Sequence, residues 1–98
     1  MKVADVLPKE EIKFKRPPMY KVVILNDDFT PVEFVIEVLQ KFFNMNEERA
    51  FVVMKEAEKT GRAICGVFSK DIAETKVNQV NAYAQQHEHP LHAAIDAD

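Results

Sequence analysis

Asn26, Asp27 and Asp28 stand together directly after the apolar, β-branched run Tyr20–Leu25 and directly before Phe29-Thr30-Pro31. One amide and two carboxylates are thereby concentrated in a single strand-to-helix turn beside an apolar helix. Such acceptors suit a positively charged donor that carries an apolar group, or a cation. They are a poor surface for a phosphate. The competing explanation is ordinary turn chemistry, because Asn and Asp side chains bond their own backbone and tolerate unusual dihedrals. Taken alone, the triplet favours that explanation. Calcium takes six or more oxygen ligands, and neither that number nor the glycine-bearing loop of an EF-hand is present.

Three further sets of residues have chemical potential. His87, His89 and His92 are clustered, but their spacing matches no common zinc signature, and a polar helix end with His near the negative dipole terminus explains them more simply. Cys65 lies between Ile64 and Gly66 in an apolar segment, where a buried structural thiol is expected rather than a nucleophile. Glu58 falls at the edge of a helical apolar stripe, four residues after Met54. It either pairs in solvent with Lys55, Lys59 or Arg62 or leans over a cavity between its helix and the acceptor turn. There is no glycine-rich phosphate loop, serine elbow or acid–base pair, so nothing argues for an enzyme, a metal or a cofactor.

The elements that must position these residues follow from periodicity and punctuation. Tyr20–Leu25 reads as a strand buried on both faces. Thr30-Pro31-Val32-Glu33 reads as a helix start with Thr30 as cap, and the helix runs to about Phe43. Val32, Val35, Ile36, Val38, Leu39 and Phe42 make most of that helix apolar. A second helix starts after Asn46 and stops at Gly61, burying Ala50, Val53, Met54 and Ala57, widened by Phe51. Ala63–Phe68 reads as a strand with Gly66 at a bulge or close approach. Ser69 caps a third helix with Ala73, Val77, Val80 and Ala84 inward, and Leu91 to Ile95 forms a short last strand. The order β-α-α-β-α-β implies an α+β fold, a small three-stranded antiparallel or mixed sheet packed on three helices.

The chain's 98 residues suffice for one domain. Residues 1–18 end in Arg16-Pro17-Pro18 and read as a flexible arm, leaving 19–98 as the domain. The arm holds five basic and three acidic residues; the remainder holds eight basic and thirteen acidic, net −5. Nucleic-acid binding draws on clustered Lys and Arg, so it is not expected. No membrane span or signal peptide is visible, and the single cysteine fits a reducing cytoplasm.

The string from Met19 through Lys21-Val22-Val23-Ile24-Leu25-Asn26-Asp27-Asp28-Phe29-Thr30-Pro31 to Phe43 resembles the ClpS adaptor family of bacteria. So do Gly61-Arg62-Ala63-Ile64-Cys65-Gly66-Val67-Phe68, Ala73-Glu74-Thr75-Lys76-Val77 and Glu88-His89-Pro90-Leu91. The resemblance covers essentially all of 19–96. It implies a non-enzymatic, monomeric adaptor that binds N-end rule substrates, proteins with a bulky apolar first residue, and docks on the N-terminal domain of a ClpA-type AAA+ unfoldase for delivery to the ClpAP protease. The mobile arm would serve delivery.

By that resemblance Asn26 and Asp27 accept from the substrate α-ammonium, and Thr30, Val32, Val35, Met54, Ala57 and Leu91 line the side-chain pocket. Asp28 is assigned to the turn, and Asp71 and Lys76 to unfoldase docking. Two positions depart from the family pattern. Glu58 replaces a common His that helps hold the amino group, so that Asp27, Asp28 and Glu58 would crowd an empty site or Glu58 would swing outward. Val32 replaces a common Met at the pocket gate, which implies a wider mouth that tolerates β-branched first residues. A ClpS-like protein that docks on an unfoldase without reading N-degrons is the alternative that Glu58 favours. The C-terminal domain of the ribosomal stalk protein has a similar topology but lacks the Asn26-Asp27-Asp28 turn.

Overall fold

The computed structural model describes residues 18–96. Of the expected arm only Pro18 falls within them. Six elements follow in order: β1 (Tyr20–Leu25), α1 (Val32–Phe43), α2 (Glu47–Thr60), β2 (Arg62–Phe68), α3 (Lys70–Gln86) and β3 (His92–Asp96). The sheet order is β2-β1-β3 and both pairings are antiparallel. β1 is therefore the central strand, which is why Val22, Val23 and Ile24 are all buried and why its sequence reads as one apolar run rather than an alternation.

The sheet is irregular where Gly66 predicts it. Val22 pairs with Gly66 and the next residue, Val23, pairs with Ile64, leaving Cys65 as the extra residue of a bulge. A side chain at Gly66 would place its Cβ 2.6 Å from the Phe68 ring, closer than packed atoms can stand. The missing side chain lets the tip of the Phe68 ring lie against the bulged strand, and any Cβ there would displace that ring.

Helix ends are set by local chemistry, most plainly in α2. Asn46 accepts from the Arg49 amide at 2.7 Å, and Gly61 ends the helix at φ 97°, its amide bonding the Ala57 carbonyl. Both are the expected residues. Ser69 precedes α3 in extended backbone, but its side chain makes no capping bond; its carbonyl instead accepts from the Ala73 amide.

All six elements or their flanks contribute to one core, including Ile24, Val38, Leu39, Ala50, Met54, Cys65, Val80, Leu91 and Ala93. Three expectations about burial need correction. Phe51 does not widen the buried stripe of α2, being half exposed, and Val32 is exposed at the start of α1. Phe34, not counted among the core residues from sequence, is 7% exposed. Its ring stacks on Tyr83 at 5.5 Å and meets His89 at 4.4 Å, so α3 and the segment after it bury a position that α1 alone leaves undecided.

Candidate functional site

The turn between β1 and α1 is built around one carboxylate. Asp27 Oδ1 accepts the Phe29 amide at 2.8 Å and the Thr30 amide at 2.7 Å, while Oδ2 accepts the Thr30 hydroxyl at 2.8 Å. The amide of Asn26 donates to the Gly61 carbonyl at 2.9 Å, so the turn is tied to the junction of α2 and β2. The result corrects two expectations. Thr30 is not the helix cap: its hydroxyl proton goes to Asp27, and Pro31, extended at ψ 145°, takes the cap position and accepts from the Phe34 and Val35 amides. Starting the helix one residue later moves those amides away from Thr30. Asp28, expected to serve the turn, carries none of these bonds and is exposed; Asp27 does that work.

Beside this turn lies a cavity of about 340 Å³, counted to its open mouth, lined by Ile24, Leu25, Asn26, Asp27, Thr30, Val32, Val35, Met54, Ala57, Glu58 and Leu91. Nine of these are the residues singled out above for amino-group and side-chain contacts, drawn from the turn after β1, from α1 and α2, and from the segment before β3. Met54, Ala57 and Leu91 are buried, and Val32 is 40% exposed. Ile24 and Leu25, expected as strand residues, also reach the cavity because they immediately precede the acceptor turn. Most of that volume is the open mouth; the enclosed part is about 30 Å³.

Glu58 takes both of the places considered for it. It borders the cavity, and its Oε1 lies 3.4 Å from Lys55 Nζ one turn back, with 42% of its side chain exposed. Lys59 and Arg62 are not its partners; Arg62 instead pairs with Asp96 across the sheet. The expected crowding of three acids does not occur, because Asp28 stays outside the cavity lining and Lys55 offsets Glu58.

The remaining candidates are occupied elsewhere. The rings of His87 and His89 pack on Phe34, and Tyr83 packs on both Phe34 and His87. His92 is exposed at the start of β3. Among the described residues, no group of three or more His, Cys, Asp or Glu is arranged to hold a metal ion. The Tyr83 hydroxyl donates to Glu37, and that bond holds its pKa above the ordinary phenol value. Burial pushes the Cys65 thiol up to about 12, against a smaller opposing backbone bond at Ile24, so it is not a nucleophile at neutral pH. Asp71 is exposed in the first turn of α3. Lys76 is half-buried; its Nζ donates to the Phe42 carbonyl at 2.7 Å at the C-terminal end of α1 and lies 5.9 Å from the Phe43 and Phe68 ring centres. Its charge thus complements a helix C-terminus. Among the described residues, no helix is long and apolar enough to cross a membrane.

The model of the family described as "ATP-dependent Clp protease adaptor protein ClpS" matches residues 15–94. An ATP-dependent Clp protease adapter protein ClpS from Alkalilimnicola ehrlichii is 64% identical over 77 residues, 79% of this chain and 73% of that protein. Its counterpart from Methylococcus capsulatus is 61% identical over 85 residues, 87% of this chain and 80% of that protein. The solved structure of Agrobacterium tumefaciens ClpS2 bound to L-phenylalaninamide superposes with a TM-score of 0.82 at 40% identity, covering 85% of this chain and all of that one.

Proposed function

The chain belongs to the ClpS family of Clp protease adaptors, and on that premise we propose that its cavity receives the first residue of an N-degron, a free protein N-terminus with a bulky apolar side chain. The observation that carries this reading is the pairing of acceptors and apolar wall: Asn26, Asp27 and Glu58 at one cavity floored by Met54, Ala57 and Leu91. An α-ammonium offers three donors, and charge-assisted bonds are the stronger kind. An internal amide has one N–H and no charge, so chain interior is rejected. Burying the side chain adds about 1.5–3 kcal/mol. The ClpS2 neighbour is bound to L-phenylalaninamide, a free amine on an aromatic side chain, which supports the same reading here.

In the proposed cycle residues 19–98 act as the binding domain and residues 1–18 as a delivery arm. The protein works as a cytoplasmic monomer, needs no cofactor, and hands substrates to ClpAP by docking on the N-terminal domain of a ClpA-type unfoldase. The start of α3 is the docking surface. Asp71, exposed, is the directly available contact; Lys76, held at the end of α1, supports that surface from beneath. At the gate, the small and exposed Val32 admits β-branched first residues.

Labelled peptides beginning with Leu, Phe, Tyr or Trp test the central claim against matched acetylated peptides. The expected outcome is saturable binding of the free-amine set alone. Absence of binding by every free-amine peptide at high micromolar concentration would overturn it in favour of unfoldase docking without N-degron recognition, and Glu58→His would then show whether that position is responsible. Strong rejection of Ile- and Val-initiated peptides relative to Leu would remove the wide-gate claim.

A further inference from the structure

Leu91 is the cavity residue that comes from farthest along the chain, and what holds it lies outside the cavity. It sits in the short segment between α3 and β3, a place where chain usually moves more than its neighbours. Yet Leu91 is 5% exposed and belongs to the core. On its N-terminal side, His89 is tied down: its amide donates to the Ala84 carbonyl at 2.8 Å and its ring packs 4.4 Å from Phe34. On its C-terminal side is Ala93, two residues on, in the edge strand β3.

Ala93 is gripped by one side chain. Asn81 Oδ1 accepts from the Ala93 amide at 2.7 Å, and Asn81 Nδ2 donates to the Ala93 carbonyl at 3.2 Å. The primary amide of Asn81 thus bonds both backbone groups of one edge residue, in the manner of a missing neighbouring strand. Only Asn or Gln carries a donor and an acceptor in that fork, and Asn81 is on α3, outside the cavity lining. Leu91 immediately precedes β3, two residues before Ala93, so fixing Ala93 restricts where Leu91 can sit.

We propose that Asn81 is a positioning residue for first-residue selectivity: by clamping Ala93 it sets how far Leu91 closes the floor of the cavity, and so how large a first side chain fits. This rests on the N-degron reading above. With the clamp intact the cavity is cut to a defined depth. With it removed, Leu91 recedes, a Leu side chain leaves a void, and a larger ring fills it.

The test compares Leu-initiated and Trp-initiated peptides on the full chain and on Asn81→Ala and Asn81→Asp. Loss of close packing around a side chain in an apolar pocket is worth about tenfold or more, so the Leu peptide is expected to weaken about tenfold and the Trp peptide by less than about threefold. Arg62→Ala is the control. It removes the Arg62–Asp96 pair at the other end of β3, and is expected to lower Tm while leaving the Leu-to-Trp ratio unchanged. An unchanged ratio in folded Asn81 variants, or an equal change in the Arg62 control, overturns the proposal. Should the variants not fold, the unmodified protein answers the question: the side-chain NH2 signals of Asn81 are expected to shift differently with Leu and Trp peptides, and identical signals overturn it. Failure of the unmodified protein to bind any free-amine peptide would instead sink the N-degron reading itself.

Discussion

The two sides of the cavity hold their carboxylates in different ways. On the turn side, Asp27 accepts three hydrogen bonds from Phe29 and Thr30, so its oxygens stand in place before any ligand arrives. On the helix side, Glu58 is 42% exposed and its partner is a solvated lysine one turn away on the same helix. A fixed acceptor needs no reorganisation when an ammonium approaches, whereas a mobile one must surrender rotamer freedom and part of an existing ion pair. Proximity to a cavity therefore does not make two acids equivalent. In the proposed N-degron reading, Asp27 is the anchor and Glu58 the adjustable contact.

Asp27→Ala is the strongest attempt to break this contrast. Loss of the turn's central acceptor is expected to cost about 3 kcal/mol of stability in thermal melts and to weaken free-amine peptides about a hundredfold in titrations. A loss no larger than that caused by changing Glu58 would abolish the distinction.

Cys65, in the bulge of the sheet that backs the turn, reports how firmly the rigid side is framed. Its folded value of about 12 lies above the ordinary 9.0, so the neutral thiol favours the folded state. That contribution is complete below pH 9 and declines as pH rises from 9 toward 12. Stability is expected to fall by about 1.5 kcal/mol by pH 10, and Cys65→Ala should flatten that part of the profile in denaturant melts. Rapid thiol labelling of the native protein at pH 8 would show the sheet to be open.

Thr30→Val removes one of the three bonds to Asp27 and keeps the shape. About 1 kcal/mol of stability and severalfold in peptide affinity are expected to go with it, seen by melting and titration. Glu58→Gln should change least. The Lys55 pair is exposed, and such pairs contribute about 0–1 kcal/mol; Tm is expected to move by no more than a degree or two, and affinity by less than about fivefold, with less salt dependence. A fiftyfold loss would make Glu58 an anchor equal to Asp27.

Much of this arrangement is legible along the chain because its causes are local. Asn46 and Gly61 bound α2 through their own backbone chemistry, β1 announces its central place by an unbroken apolar run, and Gly66 marks the bulge. The site residues became legible only as a set, through motifs shared with a family, since Asn26-Asp27-Asp28 alone fits a plain turn equally well. The helix-end place of His87 was legible, but the burial of Phe34, its contacts with His87 and His89, and the tether of Lys76 were not. Their neighbours lie dozens of residues away, and the same side chains would look solvated or chemically available if those neighbours were absent.

Element order, apolar faces and the acceptors at the end of the first strand are local properties of the chain, because periodicity, capping and turn preference act over a few residues. Three-dimensional packing settled that Asp27 rather than Asp28 organises the turn, that Thr30 serves Asp27 instead of capping α1, and that Lys76 closes the end of α1. Each of those outcomes is a choice among nearby donors and acceptors or among faces of a segment. Hydrogen bonds accept only a narrow range of distance and angle, and that geometry exists only after distant parts of the chain have packed.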